Sequence, residues 1–229
     1  NLTAFHTVQP ATSIDRDDDT FLDLPKLRRY MISNKWVYGR DTDFGWNSRV
    51  GIRFFNENRV GGQTTFNAKT DQGSTTVYGQ TVRINQPEAW TKTGYRINEK
   101  HNIVLFASAF HQQQEAYFGT VNYDAQQTNV YGNLQYELSY AGNDLKTGIS
   151  YRNLNLNEDV AFTDTTLQRT CAGNYRRMES IPGLFTEHTL RLFDDKLTWI
   201  AGVRGDLHNQ FGMQFTPRTL VKFDITPKT

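Results

Sequence analysis

Apolar and polar residues alternate along several segments of this chain, and this period of two limits its fold more than any other feature. In the clearest segment, 128–140, apolar and aromatic residues share even positions: Val130, Leu134, Tyr136, Leu138 and Tyr140. The odd positions of the same segment include polar residues: Asn129, Asn133, Gln135, Glu137 and Ser139. A helix would scatter both sets around its surface, whereas a strand separates them onto opposite faces. The pattern therefore predicts a strand with one apolar and one polar face.

The same alternation, with the turn residues between alternating segments, predicts about nine strands. Their ranges are 27–39, 46–58, 78–97, 103–113, 127–140, 145–156, 183–193, 196–207 and 214–225. Short and long connectors alternate along the chain. The short ones lie at 141–144 and 193–196, and the long polar ones at 59–76, 114–126 and 157–180. Tight turns at one end and long loops at the other are typical of transmembrane β-barrels. The sequence therefore predicts an all-β fold: a single region, 1–229, forming an antiparallel up-and-down segment of a larger transmembrane β-barrel.

Composition excludes several other classes of protein. The chain is 37% hydrophobic with a mean hydropathy of −0.64, and no stretch approaches the ~18 consecutive apolar residues of a membrane-spanning helix. A barrel remains compatible, because its strands average apolar and polar faces. The net charge of +1 comes from 25 basic and 24 acidic residues without a basic cluster, so we expect no nucleic-acid partner. The single cysteine, Cys171, allows neither an internal disulfide nor a cysteine zinc site.

Aromatic residues near predicted strand ends fit the interface girdles of a membrane barrel. They are Trp36, Tyr38, Trp90, Tyr95, Tyr136, Tyr140 and Trp199. The alternative is that they only reflect the aromatic content of an all-β protein.

The C-terminal third carries a recognisable motif. The segment IPGLFTE at 181–187 is followed by LTWIAGVRGD at 197–206 and by FTPR at 215–218. This succession resembles the mid-barrel signature of TonB-dependent outer-membrane receptors. The segments FLDLP at 21–25 and RVGGQ at 59–63 are similar to early barrel strands of the Bacteroidetes branch that includes cobalamin-type receptors.

The resemblance implies a receptor in the bacterial outer membrane, in contact with outer-membrane lipid. Members of the family hold an N-terminal plug domain inside a barrel of about 22 strands. They bind a scarce nutrient, such as cobalamin or a siderophore, at their extracellular loops and import it when the TonB protein pulls on the plug. The plug pattern is missing from this sequence, so we expect an internal barrel fragment whose coupling to TonB runs through the missing plug.

The motif contains three charged residues, Arg204, Asp206 and Arg218, that the alternation places on the lumen face. A charge on the lipid face would be unfavourable by about 2–4 kcal/mol at the membrane midplane. We therefore expect these three residues to be structural lumen charges that pair with other charges.

An acidic loop is the strongest candidate for a metal site. Asp15, Asp17, Asp19 and Asp23 have alternate spacing similar to the start of a calcium-binding loop, and calcium is bound by six to eight oxygen ligands. Two usual features of such loops are absent, since Thr20 stands at the glycine position and Lys26 at the glutamate position. Calcium is the one cofactor that the sequence suggests, and the alternative is a solvated acidic loop.

No enzyme is expected, because the chain lacks the common catalytic and phosphate-binding motifs. The acidic pair Glu158 and Asp159 falls in a predicted loop, with no indication of a cleft. Two other functions stay open at this stage. One is a passive porin or adhesin barrel without a plug, and the other is a soluble calcium-binding β-sandwich.

Overall fold

A computed structural model describes residues 2–9, 12–163 and 171–224 of the chain. These residues form ten β-strands: β1 (Leu2–Gln9), β2 (Lys26–Tyr38), β3 (Gly45–Gly62), β4 (Gly79–Arg96), β5 (His101–Phe118), β6 (Val121–Tyr140), β7 (Asn143–Phe162), β8 (Gly173–Leu192), β9 (Leu197–His208) and β10 (Gly212–Phe223). No helix in the described part of the chain is long and apolar enough to cross a membrane.

The strands form one sheet in which every strand pairs antiparallel with the next, in the order β1 to β10. This confirms the predicted all-β, antiparallel, up-and-down fold. A β-sandwich needs a second sheet packed against the first. Because the described ranges contain a single sheet, the alternative of a soluble calcium-binding β-sandwich does not fit this part of the chain.

The predicted list of strands is one short, because it omits β1. In Leu2–Gln9 small, polar and apolar residues are mixed on both faces, and seven of its eight residues are exposed. A strand whose two faces have similar surroundings shows little alternation. The last predicted strand, 214–225, ends beyond the described residues at position 225.

The predicted long connectors are wrong or too long. Residues 114–126 lie mostly in β5 and β6, and the connector between these strands is only Gly119 and Thr120. The connector predicted at 59–76 becomes 63–78. Of the connector predicted at 157–180, residues up to Phe162 lie in β7 and residues from Gly173 lie in β8, so Glu158 and Asp159 lie in a strand rather than in a loop. Residues 164–170 of that predicted connector lie outside the described residues. In these parts of the strands both faces are polar or mixed, so the sequence shows no alternation and resembles that of a polar loop.

The two faces of the sheet carry different side chains, and we call them the outer face and the inner face. The outer face carries a row of directly paired apolar residues: Leu105, Leu134, Ile149 and Leu184. The inner face carries their sequence neighbours, among them Val104, Gln135 and Ser150. This confirms the alternation predicted for 128–140, because Leu134 is 43% exposed while Gln135 is half-buried on the opposite face.

The inner face is crowded although the described residues form a single layer. Val104, Glu57 and Glu179 on this face are at most 3% exposed, whereas Leu134 and Leu184 on the outer face are 43% and 66% exposed. Side chains converge on the concave side of a bent sheet and diverge on the convex side. The sheet is therefore curved around its inner face, as the wall of a barrel is.

The ends of the sheet also differ. We call the end with connectors 39–44, 97–100, 141–142 and 193–196 the turn end, and the opposite end the loop end. Outer-face aromatic residues gather near the turn end: Tyr38, Trp46, Tyr95, Tyr136, Tyr140 and Trp199. Trp90 was expected among them, but it lies on the inner face opposite Gly51. A Cβ atom at Gly51 would collide with its indole ring, so the missing side chain makes room for it.

Candidate functional site

The inner face carries a network of ion pairs, some within one strand and others between strands. Its pairs are Arg29–Glu57, Arg59–Glu57, Arg53–Glu88, Arg152–Glu179, Arg177–Glu179, Arg204–Asp206 and Arg218–Glu187. Because curvature removes part of the water from this face, a charge there needs a partner. The pairing supplies one for each of these charges.

The sequence motif forms one cluster of this network. The Arg204 guanidinium donates to both carboxylate oxygens of Asp206, at 2.6 and 2.7 Å, and to Ser150 Oγ at 2.6 Å. Gly183 lies opposite Asp206 on the neighbouring strand. A Cβ atom on Gly183 would lie 2.9 Å from Ser150 Oγ and closer still to Asp206. The glycine therefore leaves the space in which the three polar side chains meet.

Arg218 also lies on the inner face, as expected, and forms an ion pair with Glu187 two strands away. Gly202 stands between them in the register, and its missing side chain lets the arginine cross β9. All three predicted lumen charges thus share the inner face. Their purely structural role stays a prediction.

The most buried charge of the network was not singled out in the sequence. Glu179 is 2% exposed and accepts hydrogen bonds from Arg152, at 3.1 Å, and from Arg177. His208 Nε2 lies 3.9 Å from the same carboxylate. Glu179 comes from β8 and its partners from β7, β8 and β9. The i, i+2 spacing of Arg177 and Glu179 puts these two on one face of β8, but only the register of the sheet brings Arg152 and His208 to them.

The network also reaches the connector between β2 and β3 at the turn end. Lys92 Nζ and Arg49 Nη2 lie 3.0 and 3.1 Å from one carboxylate oxygen of Asp41. The hydrogen bond from Lys92, with the charges of both cations, holds the pKa of Asp41 below its usual value. The carboxylate stays ionised and ties this turn to β3 and β4.

The acidic loop brings three of its four predicted ligands together. Carboxylate oxygens of Asp15, Asp17 and Asp19 lie within 4.8 Å of one another. Asp15 Oδ2 accepts a hydrogen bond from Thr20 N–H at 3.0 Å, while Asp15 Oδ1 is shielded from solvent and has no hydrogen-bond partner. A shielded carboxylate oxygen is unfavourable unless a donor or a cation reaches it.

Asp23, the fourth predicted ligand, is not part of this group. Its carboxylate accepts a hydrogen bond from Arg16 N–H at 3.0 Å. Asp23 therefore links the two ends of the loop instead of joining the other three carboxylates. The loop is attached to the loop end of the sheet by Leu22 N–H, which donates to Gly62 O at 2.9 Å, and by Thr64 N–H, which donates to Thr20 O at 2.8 Å.

No protein-family model and no curated protein sequence matches this chain. Among solved structures, the chain is similar to the translocator domain of the autotransporter NalP from Neisseria meningitidis, with a TM-score of 0.42 and 8% sequence identity. The similar region covers 86% of this chain and 66% of that chain. We therefore infer the function from the residues of this chain rather than from this similarity.

The Glu179 cluster makes a prediction about stability. Replacing Glu179 by Gln removes the buried charge and leaves two arginines without their partner. Since both arginines are more than half exposed, we expect the free energy of unfolding to fall by about 1–2 kcal/mol. Urea titration of the full-length protein measures this.

Glu99→Gln is the matched control. Glu99 is exposed in the connector 97–100, so its replacement is expected to change the free energy of unfolding by less than about 0.5 kcal/mol. Equal effects of the two substitutions would contradict a special role for the buried cluster.

Proposed function

We propose that these ten strands are part of the barrel wall of a TonB-dependent outer-membrane receptor that binds a scarce nutrient at its loop end. One observation carries the proposal: a single curved layer has exposed apolar residues on its convex face and paired charges on its concave face. In water the apolar face would be left uncovered, which soluble proteins avoid. In a bilayer the same face meets hydrocarbon, and the charges line the interior.

The edges of the sheet agree with a larger barrel. In the described residues β1 and β10 each pair on one side only. An unpaired strand edge costs several kcal/mol per unsatisfied group in lipid, so closure of the wall needs further strands. The aromatic residues near the turn end support the same placement, because such residues favour the membrane–water interface.

The choice of receptor class comes from the motif of β9 and β10. The segment 202–206 and the FTPR segment 215–218 lie on one antiparallel hairpin whose charged residues point to the inner face. The resemblance predicts that the motif joins two strands, and the position of these segments on one hairpin supports it. Transport would then follow the family pattern, in which a plug inside the barrel moves when TonB pulls on it. The alternative is a passive porin or adhesin.

Two neighbouring substitutions test the membrane placement. Leu134→Arg puts a charge on the outer face and is expected to destabilise insertion by about 2–4 kcal/mol. Gln135→Arg puts the same charge on the inner face, where we expect little change. The measurement is folding of the full-length protein into phospholipid vesicles. If both variants insert equally well, the outer face does not meet lipid.

The dependence of nutrient uptake on TonB tests the receptor class. Cells expressing the full-length protein are given labelled cyanocobalamin or a ferric siderophore, with and without TonB. We expect uptake of one of them to fall to background without TonB, because a plugged barrel gives no free passage. The purified protein in a planar bilayer should show no steady ion current. TonB-independent uptake with a steady current would instead identify a passive porin.

The acidic loop supports a second proposal, that it binds calcium. Three carboxylates converge there, and the shielded Asp15 Oδ1 has no other partner. Backbone carbonyls and water would complete the six to eight oxygen ligands.

Calorimetry with calcium chloride on the full-length protein tests this second proposal. We expect a dissociation constant of about 0.1–1 mM, the range of extracellular modules. Asp17→Asn should weaken binding about tenfold, since it removes one charged ligand. Asp18→Asn is the control, because Asp18 lies in the same loop outside the group. Absence of binding at millimolar calcium would remove the proposal.

A further inference from the structure

The polarity of the outer face reverses along β4–β7. Toward the turn end this face is largely apolar, but toward the loop end two successive rows of paired side chains are polar. The first row consists of amides: Asn56, Asn85, Gln113, Gln126 and Asn157. The second row is charged or polar: Asn58, Arg83, Glu115, Asp124, Asp159 and Asn174. Hydrocarbon cannot surround these rows, so they mark the upper limit of the apolar band.

Strand length explains where these rows lie. Strands β3–β8 have 18 to 20 residues each, whereas a tilted strand crosses a bilayer in about 9–11 residues. About half of each strand therefore extends past the hydrocarbon. In the proposed membrane placement, the polar rows stand where the headgroups of the outer leaflet begin.

The charged residues of the second row do not stabilise the folded sheet. Glu115, Asp124 and Asp159 stand directly opposite one another on three neighbouring strands, and like charges in this position are destabilising. Arg83 is 3.8 Å from Glu115, and these two side chains are 57% and 71% exposed. Their polar atoms are thus open to a ligand.

The members of the two rows on β5–β8, with Arg83 on β4, line a groove of about 1030 Å³ together with Tyr117 and Gln72. Loop 63–78 closes one side of it. Gly73 N–H donates to the Tyr117 hydroxyl at 2.6 Å, and Phe66 stacks on the same ring with centroids 6.3 Å apart. Tyr117 is 2% exposed as a result. The loop holds the wall of the groove in a defined position.

An apolar cavity of about 530 Å³ lies beside this groove on the outer face. It is lined mainly by apolar residues, including Ile32, Ile52, Phe54, Pro87, Ala89 and Ala109. Along β5 the lining of the apolar cavity ends at His111, and that of the polar groove begins at Gln113. The two spaces are therefore neighbours, one apolar and one polar, in the order that a lipid presents its chains and its headgroup.

We infer that the paired cavities bind one glycolipid of the outer leaflet, with an acyl chain in the apolar cavity and the sugar headgroup in the polar groove. Amide and carboxylate side chains are suited to sugar hydroxyls, since they offer both hydrogen-bond donors and acceptors. The guanidinium of Arg83 suits a phosphate on the sugar. The inference rests on the proposed membrane placement, and it adds a specific lipid partner to it.

The sequence offers a matched pair of variants. Gln113 and Gln126 stand opposite each other in the groove, while Gln112 and Gln127 form the next pair on the inner face. Gln113→Ala with Gln126→Ala removes two hydrogen-bonding groups from the groove. Gln112→Ala with Gln127→Ala removes the same groups from the other face. Both doubles are compared with the unchanged full-length protein in phosphatidylcholine nanodiscs that contain a small fraction of lipopolysaccharide.

Native mass spectrometry then measures how much lipopolysaccharide stays bound to each protein. We expect the groove double to retain it with roughly tenfold lower affinity, as two lost hydrogen bonds imply, and the inner-face double to retain it like the unchanged protein. The melting temperatures of both doubles check that each is folded.

Three results would overturn the inference. They are equal retention by both doubles, no preference for lipopolysaccharide over phosphatidylcholine in the unchanged protein, and equally strong binding of the free core oligosaccharide without its acyl chains. Failure of the membrane placement is a separate result, since the unchanged protein would then not enter nanodiscs at all.

Discussion

A sheet that is one layer thick cannot hide an apolar face against a second layer, and the rest of the structure depends on this constraint. Exposed leucine and isoleucine rows on the outer face need another apolar phase around them. The charged inner face needs water or polar protein. In the proposed membrane placement, both demands are met at a wall between hydrocarbon and an aqueous interior, which accounts for the separation of apolar and polar residues toward the turn end of the strands.

The ion pairs of the inner face also fix how the strands align. A slip of one residue would turn every side chain of a strand to the opposite face. For β9 it would send Arg204 and Asp206 into the apolar surroundings and bring Val203 inside. Arg204 on β9 also donates a hydrogen bond to Ser150 on β7. This contact forms only when β7, β8 and β9 are all in the correct register. The network therefore specifies the register, although each exposed pair contributes little stability.

The sequence predicts the sheet well where its two faces have different surroundings, and poorly elsewhere. Leu134 and Gln135 lie on the faces that alternation assigns to them, and so do Arg204, Asp206 and Arg218. Near the loop end the pattern inverts, since Leu154 and Leu156 face inward between outward asparagines. There, the polar residues of 114–126 predict a loop where the structure has the ends of β5 and β6. The Glu179 cluster and the diversion of Asp23 depend on register and on backbone contacts, which a linear pattern does not contain.

Near the loop end, the sheet continues past its apolar band and holds the two proposed ligand sites. Strands that continue past the apolar band form a rigid platform, and binding sites are commonly built from loops fixed on such a platform. The acidic loop is held to the end of β3 by Leu22 and Thr64, and loop 63–78 is held to β5 by Tyr117. Both candidate ligand sites outside the barrel interior thus depend on the same extension. In the proposed membrane placement, shorter strands would still cross the bilayer, but they would leave the carboxylate group and the polar groove without support.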